Sequence, residues 1–182
     1  DLDETKIEEI EDEILAELTL AARNVDPQTS SELALDWLNG RRTPFADQTL
    51  KGAILGLNLG SSAPRVFRSL VEATVFGARV IADHFIKKGL EIEDIIALGG
   101  ISKKNDFVMQ LTSDIHNKPI KVVSSEQTCA LGAAMFGAIA AGEYEDVEAA
   151  QAGMGSGFSN IYQPRSEMVE KYEELYKQYV AI

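Results

Sequence analysis

Cysteine is almost missing from this chain: Cys129 is the single one in 182 residues, and the two histidines, His84 and His116, stand far apart. One thiol excludes an internal disulfide framework, and no Cys or His spacing suits a structural zinc ion. Basic residues are also scarce, with 17 Lys plus Arg against 29 Asp plus Glu and a formal charge of -12. A nucleic acid backbone selects for clustered Lys and Arg, so that class of partner is set aside. No apolar run approaches the roughly 20 residues that cross a bilayer, and no charged stretch followed by an apolar one opens the chain as a leader would. The expectation is a soluble, cytoplasmic protein. There is no initiator Met, and Asp1 leads at once into an amphipathic pattern, which predicts an internal piece of a longer protein. Familiar phosphate motifs are lacking too. No Gly-x-x-x-x-Gly-Lys-Ser/Thr occurs, and Gly153-Met154-Gly155-Ser156-Gly157 has neither the GxGxxG spacing nor a preceding strand. His84 and His116 have no nucleophile in motif context, so a hydrolase triad has no support.

What is present suits one ordinary domain with a real core, since 45% of the residues are apolar. Much of the acidity is local: residues 1 to 18 hold nine acids and only Lys6, which puts -8 of the -12 there. Ile7, Ile10, Ile14, Leu15 and Leu18 fall at helical spacing, predicting a helix with one packed and one solvated face. Residues 24 to 31, with Pro27, end it. Residues 1–30 are therefore expected as an acidic helix and linker, and residues 31–182 as the domain proper. Leu33 to Leu38 reads as a strand stopped by the Asn39-Gly40 turn. Gly52 to Leu59 reads as a second strand whose glycines admit another backbone. Ser61-Ser62 before Pro64 is a helix start that a side-chain oxygen can cap, and Gly89 is its stop. Phe67, Leu70, Val71, Thr74, Gly77, Ala78, Ile81 and Phe85 are expected on its buried face, with Arg65, Arg68, Glu72 and Asp83 off it.

From there the pattern alternates: a strand at Ile95 to Leu98, a helix at Asp106 to His116, a strand at Ile120 to Val123, and a helix at Thr128 to Ala141. Strands separated by single helices pair in parallel, and their apolar runs imply an α/β sheet with helices on both faces. Gly132, Ala133, Ala134, Gly137 and Ala138 would let the last of these helices lie close to the sheet or to a neighbouring helix. Gly153 to Pro164 reads as a Gly- and Ser-rich loop, and Met168, Tyr172, Leu175, Tyr176 and Tyr179 mark a final amphipathic helix.

The stretch Leu98-Gly99-Gly100-Ile101-Ser102-Lys103-Lys104-Asn105 is the most informative. Ligands in parallel α/β sheets bind beyond the carboxyl ends of the strands. Glycine has no Cβ, so a phosphate or ribose can approach Gly99 and Gly100, while free amides at a helix start favour negative charge by roughly 0.3 to 1 kcal/mol. Lys103 or Lys104 could add charge, and Asn105 offers a donor and an acceptor to a purine edge. The same pattern also serves as a bare tight turn, and the residues alone leave both readings open.

Leu98-Gly99-Gly100 with Lys104-Asn105, then Met109-Gln110-Leu111 to Asp114, then Ala130-Leu131-Gly132-Ala133-Ala134, resemble the carboxyl-terminal domain of the FGGY carbohydrate kinases. The resemblance runs from about Leu33 to Gly142. Asp36-Trp37-Leu38-Asn39-Gly40, Gly56-Leu57-Asn58-Leu59-Gly60 and Leu70 to Gly77 look most like the family's ribulokinase branch. The resemblance implies an actin-like, RNase H-type ATPase fold, with ATP and Mg2+ as cofactors, a ketopentose as second substrate and a place in arabinose catabolism. It further implies that Gly99 and Gly100 lie by the α-phosphate and ribose, Lys104 and Asn105 beside the nucleotide with Asn105 at the adenine, and Asn39 and Gly40 near the phosphates. Trp37 is assigned to packing. The catalytic Asp, the sugar contacts and a further phosphate loop are expected upstream of Asp1. Asp36, Asp106 and Asp114 have bland readings as strand, helix-start and helix-face residues, so no catalytic or metal-binding residue is named. By the same analogy the first strands of the sheet are absent, and an unpaired edge would invite homo-oligomers. Xylulokinase and glycerol kinase are alternatives within the family. An actin-like module that binds nucleotide to switch an assembly is the alternative outside it.

Overall fold

The computed structural model describes residues 3–182. They form two compact units: residues up to 92 with 114–117 and 165–182, and residues 93–113 with 118–164.

In the first unit, helix α1 (Glu4–Arg23) leads to strand β1 (Leu33–Leu35), which pairs antiparallel with β2 (Ala53–Leu55). Both strands are shorter than the apolar runs suggested. The glycines beside β2 do admit backbone: a Cβ on Gly56 would stand 1.9 Å from the Ser31 carbonyl oxygen, and one on Gly52 3.0 Å from that of Leu35. Helix α2 (Ala63–Lys87) follows, with Pro64 in its first turn and Gly89, at φ +91°, just past its end. Ser62 at its N-cap makes no side-chain cap. Ser61 instead donates its hydroxyl to Glu32 and accepts from the Asn58 amide at 3.0 Å.

The buried face of α2 is rotated from the expected one. Ala73, Val75 and Phe76 are buried, and so are Arg68 and Glu72, whereas Thr74 and Ala78 are exposed. The reason is the C-terminal helix α7 (Ser166–Ala181), whose Tyr172, Tyr176 and Tyr179 set their rings 5.3–6.3 Å from that of Phe76. Tyr172 also brings a hydroxyl that the charged pair needs. Arg68 Nε donates to Glu72 at 2.7 Å, its Nη1 to the Ala22 carbonyl at 2.6 Å, and its Nη2 to the Tyr172 hydroxyl, which in turn donates to Glu72 at 3.1 Å. Charges can be buried when every polar atom is answered in this way.

In the second unit, β3 (Ile95–Ala97) pairs in parallel with β4 (Ile120–Val123), as the alternating pattern predicts, and β4 pairs antiparallel with β5 (Phe158–Tyr162). The short helix α3 (Gly100–Lys104) and α4 (Asp106–His116) connect β3 to β4; the last residues of α4, Asp114 to His116, belong to the first unit. Met109, Ile120 and Val122 form the core, flanked by Ile95, Ala97, Val108 and Tyr162.

Strand β5 lies where a loop was expected. Its residues are nearly all exposed, so the strand carries no alternation of apolar and polar residues to betray it, and its pairing comes from β4. Helix α6 (Val147–Met154) was also absent from the sequence reading; Asp146 caps it by accepting from the Ala149 amide at 2.8 Å. Helix α5 (Thr128–Ala140) packs on α6, yet none of its residues is buried, and a Cβ on Gly132 or Gly137 would meet nothing within 4 Å. Ser124 and Ser125 do not cap it directly: its N-cap is Gln127, whose amide donates to Ser125 Oγ at 3.2 Å. No helix among the described residues is long and apolar enough to cross a membrane.

Candidate functional site

Since β3 and β4 are parallel, their carboxyl ends lie on one edge of the sheet. Gly99 and Gly100 leave β3 at that edge. Gly99 has φ +94° and ψ 178°, a region that a residue with a Cβ scarcely enters. Both glycines are exposed, and a Cβ on either would meet nothing within 4 Å. The turn is therefore open to a ligand, with no side chain of its own roofing it.

Neighbouring residues hold this turn in shape. Ser102, 4% exposed, donates its hydroxyl to the Gly99 carbonyl at 2.7 Å. Lys103 donates to the Ser124 carbonyl, beyond the end of β4, at 2.6 Å. That bond commits Lys103 to structure, and leaves Lys104, exposed and beside it, as the cation available to a phosphate. The Asn105 amide donates to the Ile101 carbonyl at 3.0 Å and closes α3. Asn105 Oδ1 accepts from the Val108 amide at 3.1 Å, which caps α4. One lone pair of that oxygen is thus engaged, and the Nδ2 group is the donor left for a purine ring nitrogen. With only five residues in α3, a helix dipole adds little at this turn, and individual amides matter more.

Leu98 and Ile101, 56% and 68% exposed, bracket the two glycines with apolar surface suited to a base or ribose. Sequence reasoning passed over them and over Ser102. The available signal was their position, since apolar residues on both sides of a Gly-Gly turn cannot all face a core.

Gly99, Gly100, Lys104 and Asn105 thus stand together on one turn of the second unit, while Asn39 and Gly40 belong to the first unit. Asn39 is exposed. Gly40 is buried at φ +78°, where a Cβ would come within 2.8 Å of Gln48 Cα, so packing alone accounts for that glycine. The Arg41 guanidinium lies over the Trp37 ring, 5.2 Å from its centroid.

The three aspartates singled out in the sequence have identifiable roles. Asp114, fully buried, accepts from the Arg165 amide at 2.9 Å and from its guanidinium at 2.6 Å. Asp106 accepts from the Tyr162 hydroxyl at 2.9 Å. Asp36 follows β1 half-buried, and burial pushes its carboxyl above the usual range, opposed by a bond from its own backbone. Among the described residues no group of three His, Cys, Asp or Glu could hold a metal ion.

Residues 2–141 match the model for the FGGY family of carbohydrate kinases, C-terminal domain. A ribulokinase of Vibrio parahaemolyticus is 47% identical over 175 residues, covering 92% of this chain and 31% of that protein. A ribulokinase of Halalkalibacterium halodurans is 42% identical over 165 residues, covering 88% of this chain and 29% of that protein. The chain thus spans about a third of the length of these curated relatives. Among solved structures, ligand-bound xylulose kinase from Lactobacillus acidophilus superposes with a TM-score of 0.81 at 26% identity, covering 90% of this chain and 33% of that one.

Proposed function

Because the chain belongs to the FGGY family of carbohydrate kinases, as the family's carboxyl-terminal domain, we propose that it is the nucleotide-binding part of a cytoplasmic kinase. That kinase transfers the γ-phosphate of ATP to L-ribulose, giving L-ribulose 5-phosphate and ADP. The observation that carries the nucleotide assignment is the uncovered Gly99-Gly100 turn at the carboxyl edge of a parallel strand pair. The α-phosphate and ribose lie against the main chain of Gly99 and Gly100, the Lys104 ammonium supplies charge, and Asn105 Nδ2 donates to the adenine. Asn39, which is exposed, and Gly40 follow β1 in the first unit, and their assignment to the phosphates is supported by membership of the family alone. L-ribulose as acceptor is supported by the identity to ribulokinases along most of the chain. The likeness in fold to a xylulose kinase makes D-xylulose the second reading.

Phosphoryl transfer needs an aligned hydroxyl, neutralised phosphates and a proton acceptor, and positioning alone supplies roughly 7 to 11 kcal/mol of the barrier. The residues described here hold and orient the nucleotide. Mg2+ would neutralise phosphate charge, but the described residues do not form a donor set for it. The test is ATP consumption by the longer kinase that contains this chain, against a panel of ketopentoses. Turnover with L-ribulose is expected to exceed that with D-xylulose. Turnover independent of any sugar would favour a nucleotide-switched assembly module. The 182-residue chain alone is expected to bind ATP weakly, since each 1.4 kcal/mol of lost contacts is about tenfold in affinity. Micromolar affinity in calorimetry would contradict that.

A further inference from the structure

The first unit holds a cavity of about 400 Å3, within the roughly 300–1,000 Å3 typical of small-molecule sites. The loop after β1, the second half of α2 and the end of α7 form its walls. Pro44, Phe45, Val80, Ile81 and Val180 make those walls apolar. Three cations, Arg41, Arg42 and Lys87, line the cavity, in a protein of formal charge -12. The Arg41 guanidinium is held between two rings, 5.2 Å from the centroid of Trp37 and 5.0 Å from that of Phe45. Arg42 and Lys87 are exposed, and their side chains have no hydrogen bond or ion pair among the described residues. Two acids, Asp36 and Asp83, also line the cavity against these three cations. Asp83 already accepts from the Tyr176 hydroxyl at 2.7 Å and lies 3.9 Å from Arg79. Burial disfavours the charged form of Asp36.

We propose that this cavity binds an amphipathic organic anion, its aromatic or branched body seated against Phe45 and Ile81 and its anionic group held by Arg42 and Lys87. Of the residues assigned to the nucleotide only Gly40 lines it, as backbone, and the proposal does not rest on the kinase reading. A site of this kind suits an effector or product analogue distinct from ATP. Its occupant would bridge α2, α7 and the loop after β1, so binding would stiffen the first unit.

Fluorescence titration of the 182-residue chain tests this with two probes: 1-anilinonaphthalene-8-sulfonate, and N-phenyl-1-naphthylamine, which has the same aromatic body without the charge. Ala78 is exposed and lines the cavity, so Ala78→Phe fills the space without entering the core. It is expected to weaken both probes by about tenfold or more. The double variant R42E/K87E, on exposed positions, is expected to weaken the sulfonate by about tenfold and the uncharged probe hardly at all, with the difference shrinking at high salt. Millimolar ATP is expected to leave the sulfonate bound. Circular dichroism checks that the variants fold, and R42E/K87E decides the matter if Ala78→Phe does not. Sulfonate binding indifferent to R42E/K87E, or equal losses for the two probes, would overturn the proposal. Displacement by ATP would overturn the site's independence while leaving the nucleotide reading intact.

Discussion

Arg68 carries a charge in an environment that excludes water: its side chain is 4% exposed and that of Glu72 5%. The pair is tolerable because the Ala22 carbonyl and the Tyr172 hydroxyl accept from the other two guanidinium nitrogens. Burial pushes the Glu72 carboxyl above its usual range, against the pull of Arg68 and of the Tyr172 hydroxyl. Removing one partner leaves the other buried and unanswered, so Arg68→Met is expected to cost about 3–5 kcal/mol in urea unfolding. The double variant R68M/E72L is expected to cost less than the single one, because an apolar pair of similar volume carries no such penalty. An equal or larger loss in the double variant would contradict this view of the pair. Asp36 gives a second expectation. A carboxyl raised by burial penalises the folded state once it ionises, so the penalty is absent below its ordinary value of 3.8 and grows as pH rises through the raised one. Asp36→Asn is therefore expected to raise Tm at neutral pH and to leave it unchanged near pH 3; a gain that persists in acid would point to another cause.

At the scale of elements, the order of helices and strands was largely legible. Hydrophobic spacing placed α1, α4, β4 and α7 closely, and the alternation of β3, α4 and β4 foretold their parallel pairing. What failed did so for physical reasons. The burial of Arg68 and Glu72 was invisible because periodicity scores charged residues as solvated, and only Tyr172, about a hundred residues later in the chain, changes that. Strand β5 was missed because its exposed residues carry no alternation. Helix α5 showed its small-residue composition, and it does pack on α6, though with no residue buried and with Gly132 and Gly137 facing open space. The sheet of the second unit, ordered β3-β4-β5, pairs β3 on one side only among the described residues, and Ile96 on β3 is 54% exposed. An open edge of this kind recruits a second strand. Sedimentation velocity is expected to show concentration-dependent self-association of the 182-residue chain, with Ile96→Lys lowering the association constant by about tenfold. A chain that stays monomeric at high concentration would contradict the edge as an association site.

On the scale of the whole molecule, family membership was legible from the Gly-Gly turn and the blocks around it, and residues 2–141 match the family model. The candidate site was legible in part as a local arrangement of residues. The sequence located Gly99, Gly100, Lys104 and Asn105 on one turn, but it could not tell that Lys103 is engaged by Ser124 or that Asn105 Oδ1 caps α4. Those engagements separate the cap that Asn105 makes from the adenine contact proposed for it, which a truncation to Ala would confuse. Asn105→Asp keeps the capping oxygen and removes the Nδ2 donor, so it isolates the contact assigned to adenine. The most direct measurement is steady-state kinetics of the longer kinase carrying this one change. The Michaelis constant for ATP is expected to rise about tenfold with that for L-ribulose and the Tm nearly unchanged. A rise confined to the Michaelis constant for L-ribulose would contradict the placement of the nucleotide on this turn.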